Sequence, residues 1–256
     1  MKIIYTHVVL VFAMVAVLAC NASERTGSEV VPSHDIWDRL LKKHVDEKGW
    51  VDYKGFISDK VLLEEYLKLL SDHAPDKAKW TREEQLAYWI NAYNAFTIKL
   101  IVDNYPVKSI KDLKPTLNIP GIHTVWHRQF FKIGGIECSL DEIEHDILRK
   151  QFDEPRIHFA INCASYSCPP LRNEAYKASL IDEQLQAQAE WFINDGKRNL
   201  IAENQIRISS IFSWFRGDFT KRGDLIDYLN QYSKVVISQD ANINYLEYDW
   251  RLNEQH

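Results

Sequence analysis

The stretch at residues 156–171, RIHFAINCASYSCPPL, crowds Arg156, His158, Asn162, Cys163 and Cys168 together and is the densest chemistry in the chain. A thiol at the end of a buried segment becomes a nucleophile when a base takes its proton. If residues 156–163 run as a strand, His158 lies roughly 16 Å from Cys163. The base must then come from another element. His145 is the best available, with Glu144 or an asparagine such as Asn91 orienting its imidazole. The two cysteines can instead close a disulfide, which over so short a loop stabilises by only roughly 2 kcal/mol and shapes the loop more than it holds the fold. Inert thiols are the third state, and Cys138 is the expected odd cysteine. A thiol–disulfide redox role ranks last, because Cys-x4-Cys is wider than the usual redox pair.

The other candidates sit on periodic segments. Glu144 falls inside the apolar stripe Leu140, Ile143, Ile147 and Leu148, where a carboxylate must be paired, hydrogen-bonded or neutralised. Arg156 is a candidate partner for it. His145 lies beside the stripe, one turn from Asp141 and Arg149. Asn91 and Asn94 form a polar seam on an otherwise apolar helix and need specific partners, because an unpaired buried amide costs about 1 to 3 kcal/mol. They either brace a neighbouring loop or line a site. In IFSWFRGDF, Arg216 and Asp218 read as a surface ion pair beside the core residues Phe212, Trp214 and Phe215; otherwise the segment is the aromatic wall of a pocket, with Trp214 and Arg216 as its binding candidates. His123 and His127 have zinc-like i,i+4 spacing, but in an extended segment that spacing is wrong, so no metal site is expected. No glycine-rich phosphate loop, Gly-x-Ser-x-Gly elbow or His-Glu-x-x-His occurs, and no cofactor is expected.

The elements that must position these groups are mostly helical. Ser33 opens a helix through His44, Ser58 one over residues 61–70, and Thr81 with Glu84 makes a capping box for a long helix ending before Pro106. Ser139 with Glu142 makes another, for residues 140–150. Strands are expected at 125–133, at 156–163, where apolar residues face both ways, near 200–202 and 205–208, and along the tail 243–250. Helices follow at 180–194 and 225–232. Without regular strand–helix alternation this is an α+β, helix-rich single domain around a small mixed β-sheet, at most distantly like the cysteine hydrolases.

Composition sets the boundaries. Hydrophobic residues make up 46% and charged residues 26% of the 256, which is an ordinary globular balance. With 31 basic against 36 acidic residues the net charge is -5, which excludes a basic nucleic-acid footprint. Residues 8–18 are an apolar run spanning about 16 Å as a helix, roughly half a bilayer core. That reads as a signal peptide over residues 1–19. Residues 17–20, VLAC, resemble a lipobox, so Cys20 is expected to carry acyl chains that hold the protein to the membrane. Residues 20–32 are then a disordered tether and 33–256 the domain. Asn21 after the cysteine directs such a protein to the periplasmic face of the bacterial outer membrane; a soluble periplasmic or secreted protein is the alternative.

Five ordered motifs, YWINAYNAFTI, LDEIEHDILR, RIHFAINCASYSCPPL, IFSWFRGDF and YDWRLN, resemble the family catalogued as domain of unknown function 547, from about Trp37 to Asn253. The resemblance implies a domain identity and an envelope setting, and no settled reaction. Its pattern falls on Asn91, Asn94, Glu144, His145, Arg149, Arg156, His158, Cys163, Cys168 and Pro169. Plant members resemble the chain at the Glu-His pair but carry serine at both cysteine positions, which argues against an obligatory disulfide.

The leading expectation is a lipid-anchored periplasmic protein in which Cys163 attacks an acyl or peptide carbonyl, with His145 as base. Its competitor is a non-catalytic module that holds an envelope ligand or protein in an aromatic, Asn-lined cleft, with Cys163 and Cys168 bonded.

Overall fold

The first four helices form where their ends are written locally. In the computed structural model, which describes residues 25–113 and 124–255, helix α1 (Asp35–His44) places Asp35 and Asp38 in its first turn and Lys42, Lys43 and His44 in its last, matching the helix dipole. Helix α2 (Tyr53–Ser58) is capped by Asp52, whose carboxylate accepts from the Gly55 N–H at 2.9 Å. Helix α3 (Lys60–Asp72) starts from Asp59 rather than Ser58. Helix α4 (Arg82–Asn104) carries the reciprocal capping box: the Glu84 N–H donates to Thr81 at 3.2 Å and the Thr81 N–H to Glu84 at 2.7 Å. Buried on nearly every side, α4 is the axis on which the domain is assembled.

Among the described residues the β structure is three small sheets rather than one. β1 (Gly27–Ser28) pairs in parallel with β2 (Ala74–Pro75). β3 (Phe131–Ile133) and β4 (Ile136–Cys138) form a hairpin whose turn places Gly134 at φ +60° and Gly135 at φ +82°, the left-handed pair that a two-residue hairpin loop demands. β5 (Leu200–Ile201) lies antiparallel to β6 (Gln205–Ser209), which pairs in parallel with β7 (Asn242–Leu246), so only this last sheet is mixed. The domain is α+β, as its element pattern implies.

Three expectations are corrected. Residues 156–163 are not a strand: Ile157–Ala160 is a single helical turn started by the Glu154–Pro155 corner, since the Ile157 N–H donates to the Glu154 carbonyl and the His158 N–H to that of Pro155. Apolar residues on both faces of four positions do not separate a buried strand from a buried helical turn. In 125–133 only the last three residues are strand, and Val125–His127 is a 3-10 turn. Residues 25–32, expected to be part of a disordered tether, are packed on the domain, because Arg25 pairs with Glu142 and sits over the Trp89 ring while the Trp80 indole donates to the Ser28 carbonyl at 2.7 Å. The expected signal peptide, Cys20 and His123 lie outside the described residues. No described helix is long and apolar enough to cross a membrane.

Two apolar clusters result. One packs α1, α2, α3 and α4 through Trp37, Phe56, Tyr66, Tyr88 and Phe96; the other gathers Phe159, Phe192, Phe212, Phe219 and Tyr228. Their seam holds the pocket described next.

Candidate functional site

The segment Glu142–Leu148 is wound as a π-helix, with the Arg149 N–H donating to the Glu144 carbonyl five residues back. Such widened turns recur at functional sites. Here the consequence is direct: Asp141, Glu144 and His145 all face one pocket, of about 250 Å³. Its other walls are Tyr93 of α4, Trp126, His158, the Cys163 and Cys168 pair, Ile211, Trp214, Phe215, Tyr248 and Trp250.

Glu144 is a strongly perturbed carboxyl in that wall. The Tyr93 hydroxyl donates to its Oε2 at 3.2 Å. Burial pushes its carboxyl up to about 7, against the pull of Tyr93 and the Arg149 guanidinium. Arg156 is not its partner; that guanidinium is held by Glu154 and Asp182, each at 2.7 Å, away from the pocket.

Arg149 ties the histidines together. Its Nη1 lies 2.8 Å from His145 Nδ1. A guanidinium can only donate, so Nδ1 accepts and the neutral imidazole carries its proton on Nε2. Burial lowers the His145 pKa, with Asp141 opposing and Arg149 adding to the fall. His145 in this state is a hydrogen-bond donor at Nε2, not the base expected for a cysteine. Arg149 also reaches Asp218 through Nε at 2.6 Å and Nη2 at 3.2 Å, and Asp218 accepts from His158 Nε2 at 2.8 Å. The His158 ring is stacked on Phe215 with centroids 4.0 Å apart. Asp218 is therefore the hub of a partly buried network, and its expected role as the surface partner of Arg216 is corrected. Arg216 points to the Tyr245 hydroxyl at 3.2 Å, outside the pocket.

Cys163 and Cys168 form a disulfide with Cα atoms 6.3 Å apart, and Cys138 is a free, buried cysteine. While that bond stands, Cys163 is no nucleophile. The loop between the two cysteines is held at both ends by Asn162, whose Nδ2 donates to the Pro169 carbonyl at 2.7 Å and whose Oδ1 accepts from the Ala164 N–H at 2.8 Å. That clamp keeps Ala164 at φ 61°, a left-handed backbone on the order of 1 kcal/mol or more unfavourable for alanine. The C-terminal segment closes over the same loop: the Tyr166 N–H donates to the Arg251 carbonyl at 2.7 Å, and Asn253 Nδ2 to Asn162 Oδ1 at 3.2 Å.

The asparagines of α4 are braces. Asn91 bonds both backbone groups of Tyr176, and neither Asn91 nor Asn94 lines the pocket, so the catalytic expectation for Asn91 is corrected. Asn94 donates to the Ala160 carbonyl at 3.0 Å and accepts from the Asn162 N–H at 2.8 Å, which fixes where the cysteine loop begins. Asn94→Ala strands both backbone groups in the core and is expected to destabilise by about 3 kcal/mol. Guanidinium denaturation measures it; a loss below about 1 kcal/mol would mean that water replaces the amide.

The pocket mouth is aromatic. Trp214, 50% exposed, stacks on Trp250 at 5.8 Å and leans on Tyr248 at 4.7 Å, and Trp126 meets Trp250 at 5.6 Å. His127 lies 2.9 Å from Thr124 Oγ1 and 3.4 Å from Asp141. Among the described residues no group of three or more His, Cys, Asp or Glu side chains is disposed to hold a metal ion.

Residues 77–193 match the model of the family described as protein of unknown function, DUF547. That stretch of the chain is assigned to the DUF547 family. No curated protein and no solved structure matches the chain. The matched stretch of the DUF547 domain supplies Tyr93, Glu144, His145, Arg149, His158 and both cysteines, whereas Asp218, Trp214, Tyr248 and Trp250 come from beyond it. Sequence reasoning missed Tyr93, Tyr248 and Trp250 as site residues; the only signal for the last two was their place in the closing YDWRLN motif.

Proposed function

We propose that this DUF547 protein is a lipid-anchored envelope enzyme that cleaves or transfers an acyl group in the Glu144 pocket, with Glu144 rather than His145 as the base. One observation carries the reaction: a carboxyl held near 7 by burial, in the wall of a pocket, beside a histidine whose Nε2 carries the proton. Glu144 takes a proton from a water molecule as that water attacks the substrate carbonyl, and returns it to the ester oxygen or amide nitrogen as the bond from the acyl carbon to that atom breaks. His145 Nε2–H donates to the oxyanion that develops. The aromatic mouth receives the apolar part of the substrate. The anchor rests on the VLAC sequence at Cys20 alone.

A cysteine-dependent form of the same reaction requires the bridge to be open. The test uses the bridged protein without reductant, offered a panel of acyl esters and peptide amides. Turnover insensitive to iodoacetamide, rising with pH through a limb near 7, is expected. Activity that appears only after reduction and is lost on alkylation would transfer the role to Cys163. A second reading, a ligand-binding module, is favoured by the intact disulfide and the exposed Trp214; saturable binding without turnover in either redox state would establish it.

A further inference from the structure

The two sulfurs of the Cys163–Cys168 bridge have unlike surroundings. Cys168 is 3% exposed, whereas Cys163 is partly open to the pocket. Cys168 Sγ accepts from the Cys163 N–H at 3.0 Å and from the Tyr248 O–H at 3.2 Å. The Tyr248 oxygen in turn accepts from the Ser165 O–H at 3.0 Å. Each hydroxyl has one proton to give, so this chain runs from Ser165 through Tyr248 to Cys168. Cys163 Sγ lies 3.2 Å from Ser165 Oγ and 3.5 Å from Tyr248 Oη, and with the chain in this direction it receives neither proton, whereas the Cys163 N–H donates to Cys168 Sγ in either direction. Burial pushes the Tyr248 hydroxyl far above its ordinary range, so it remains a donor.

In thiol–disulfide exchange the accessible sulfur is attacked, and the sulfur whose thiolate is better stabilised departs. Both conditions select the same direction here. We propose that the bridge is an exchange site for dithiols, attacked at Cys163 from the pocket with Cys168 as the leaving thiolate. This activity is independent of the acyl chemistry proposed above. A thiolate of the dithiol forms a bond to Cys163 Sγ; the Cys163–Cys168 bond breaks and its electron pair goes to Cys168, where the Cys163 N–H and Tyr248 O–H receive it. The second thiolate of the dithiol then attacks the dithiol sulfur of that mixed disulfide, closing the dithiol's own disulfide and releasing Cys163. The dithiol is oxidised by two electrons, the bridge is reduced by two, and the two protons of the dithiol end on the two cysteines by way of solvent. The Asn162 clamp on Pro169 holds the loop ends together, so the bridge can re-form by the reverse path.

The folded wild-type protein is treated with 2-mercaptoethanol, quenched in acid, alkylated and mapped by mass spectrometry. The monothiol adduct is expected on Cys163 and the alkylated thiol on Cys168, with buried Cys138 unmodified under native conditions. An adduct on Cys168 would overturn the proposed direction. A bridge that opens with dithiothreitol or with a reduced Cys-x-x-Cys peptide no faster than the protein unfolds would overturn the activity. Tyr248→Phe, which removes one donor to the leaving sulfur, is expected to slow reduction by dithiothreitol about tenfold; an unchanged rate in the folded variant also counts against the proposal.

Discussion

Glu144→Gln is expected to lower turnover of any acyl substrate by about 10²- to 10⁴-fold, the range set by removing a positioned base, and to abolish the pH–rate limb near 7. A carboxyl at its ordinary value would put that limb near 4.5; burial moves it to about 7. The same substitution has an opposite signature in stability. Because the folded pKa of Glu144 is raised, its favourable contribution is complete below about 4.5 and is lost as pH rises through 7. A rise from 4.5 to about 7 corresponds to on the order of 3 kcal/mol. Solvent reaching the pocket reduces this to about 2 kcal/mol. Glu144→Gln should therefore match the wild type more closely at pH 4.5 and exceed it by about 2 kcal/mol at pH 8.5 in urea denaturation. A variant less active yet no more stable at alkaline pH would place the carboxylate in an ion pair instead. Carboxyl titration by carbon NMR checks the midpoint directly.

The largest loss of stability is expected from Asp218→Ala. Asp218 accepts two bonds from Arg149 and one from a histidine whose side chain is 1% exposed. Removing the carboxylate leaves the partly exposed Arg149 guanidinium only His145 and the Phe215 face, and leaves His158 unpaired in the core. Breaking a buried charged pair on one side costs about 3 to 4 kcal/mol; Asp218→Asn keeps one bond and should lose about half of that. His158 and Arg149 hold the Asp218 carboxyl well below the carboxylate range, against the opposing effect of its own burial. A carboxyl lowered in the folded state stabilises above its unfolded value, near 3.9, and that contribution disappears only as pH falls through the folded value. The gap between wild type and Asp218→Ala should thus be constant from pH 5 to 8 and narrow only below about 4. A gap that closes near 6.5 would assign the effect to histidine titration.

How much of the site was legible follows from the distance over which each signal acts. The capping boxes Thr81/Glu84 and Ser109/Asp112 act across three residues, and the first was readable as a start signal with the helix end in the right place. Glu144 was legible as a misfit carboxylate in an apolar stripe, because the stripe is a property of one helix. Its partner was not: Tyr93 stands 51 residues away. Asp218 was read from its neighbour Arg216, although its partners lie 69 and 60 residues upstream. The strand expected at 156–163 fails because four buried apolar residues satisfy either periodicity, and the local signal that separates them is Pro155, at which the helical turn starts.

Sequence alone determined the helical frame, the class of the fold, the family pattern and the short list of groups able to do chemistry, because capping, amphipathic spacing and residue type act within a few positions of the chain. Which of those groups meet, that Arg149 fixes the tautomer of His145, that Cys163 is bonded to Cys168 and that Asn91 and Asn94 brace loops were decided only by tertiary packing. Each depends on contacts or a local winding that no periodicity in the chain encodes.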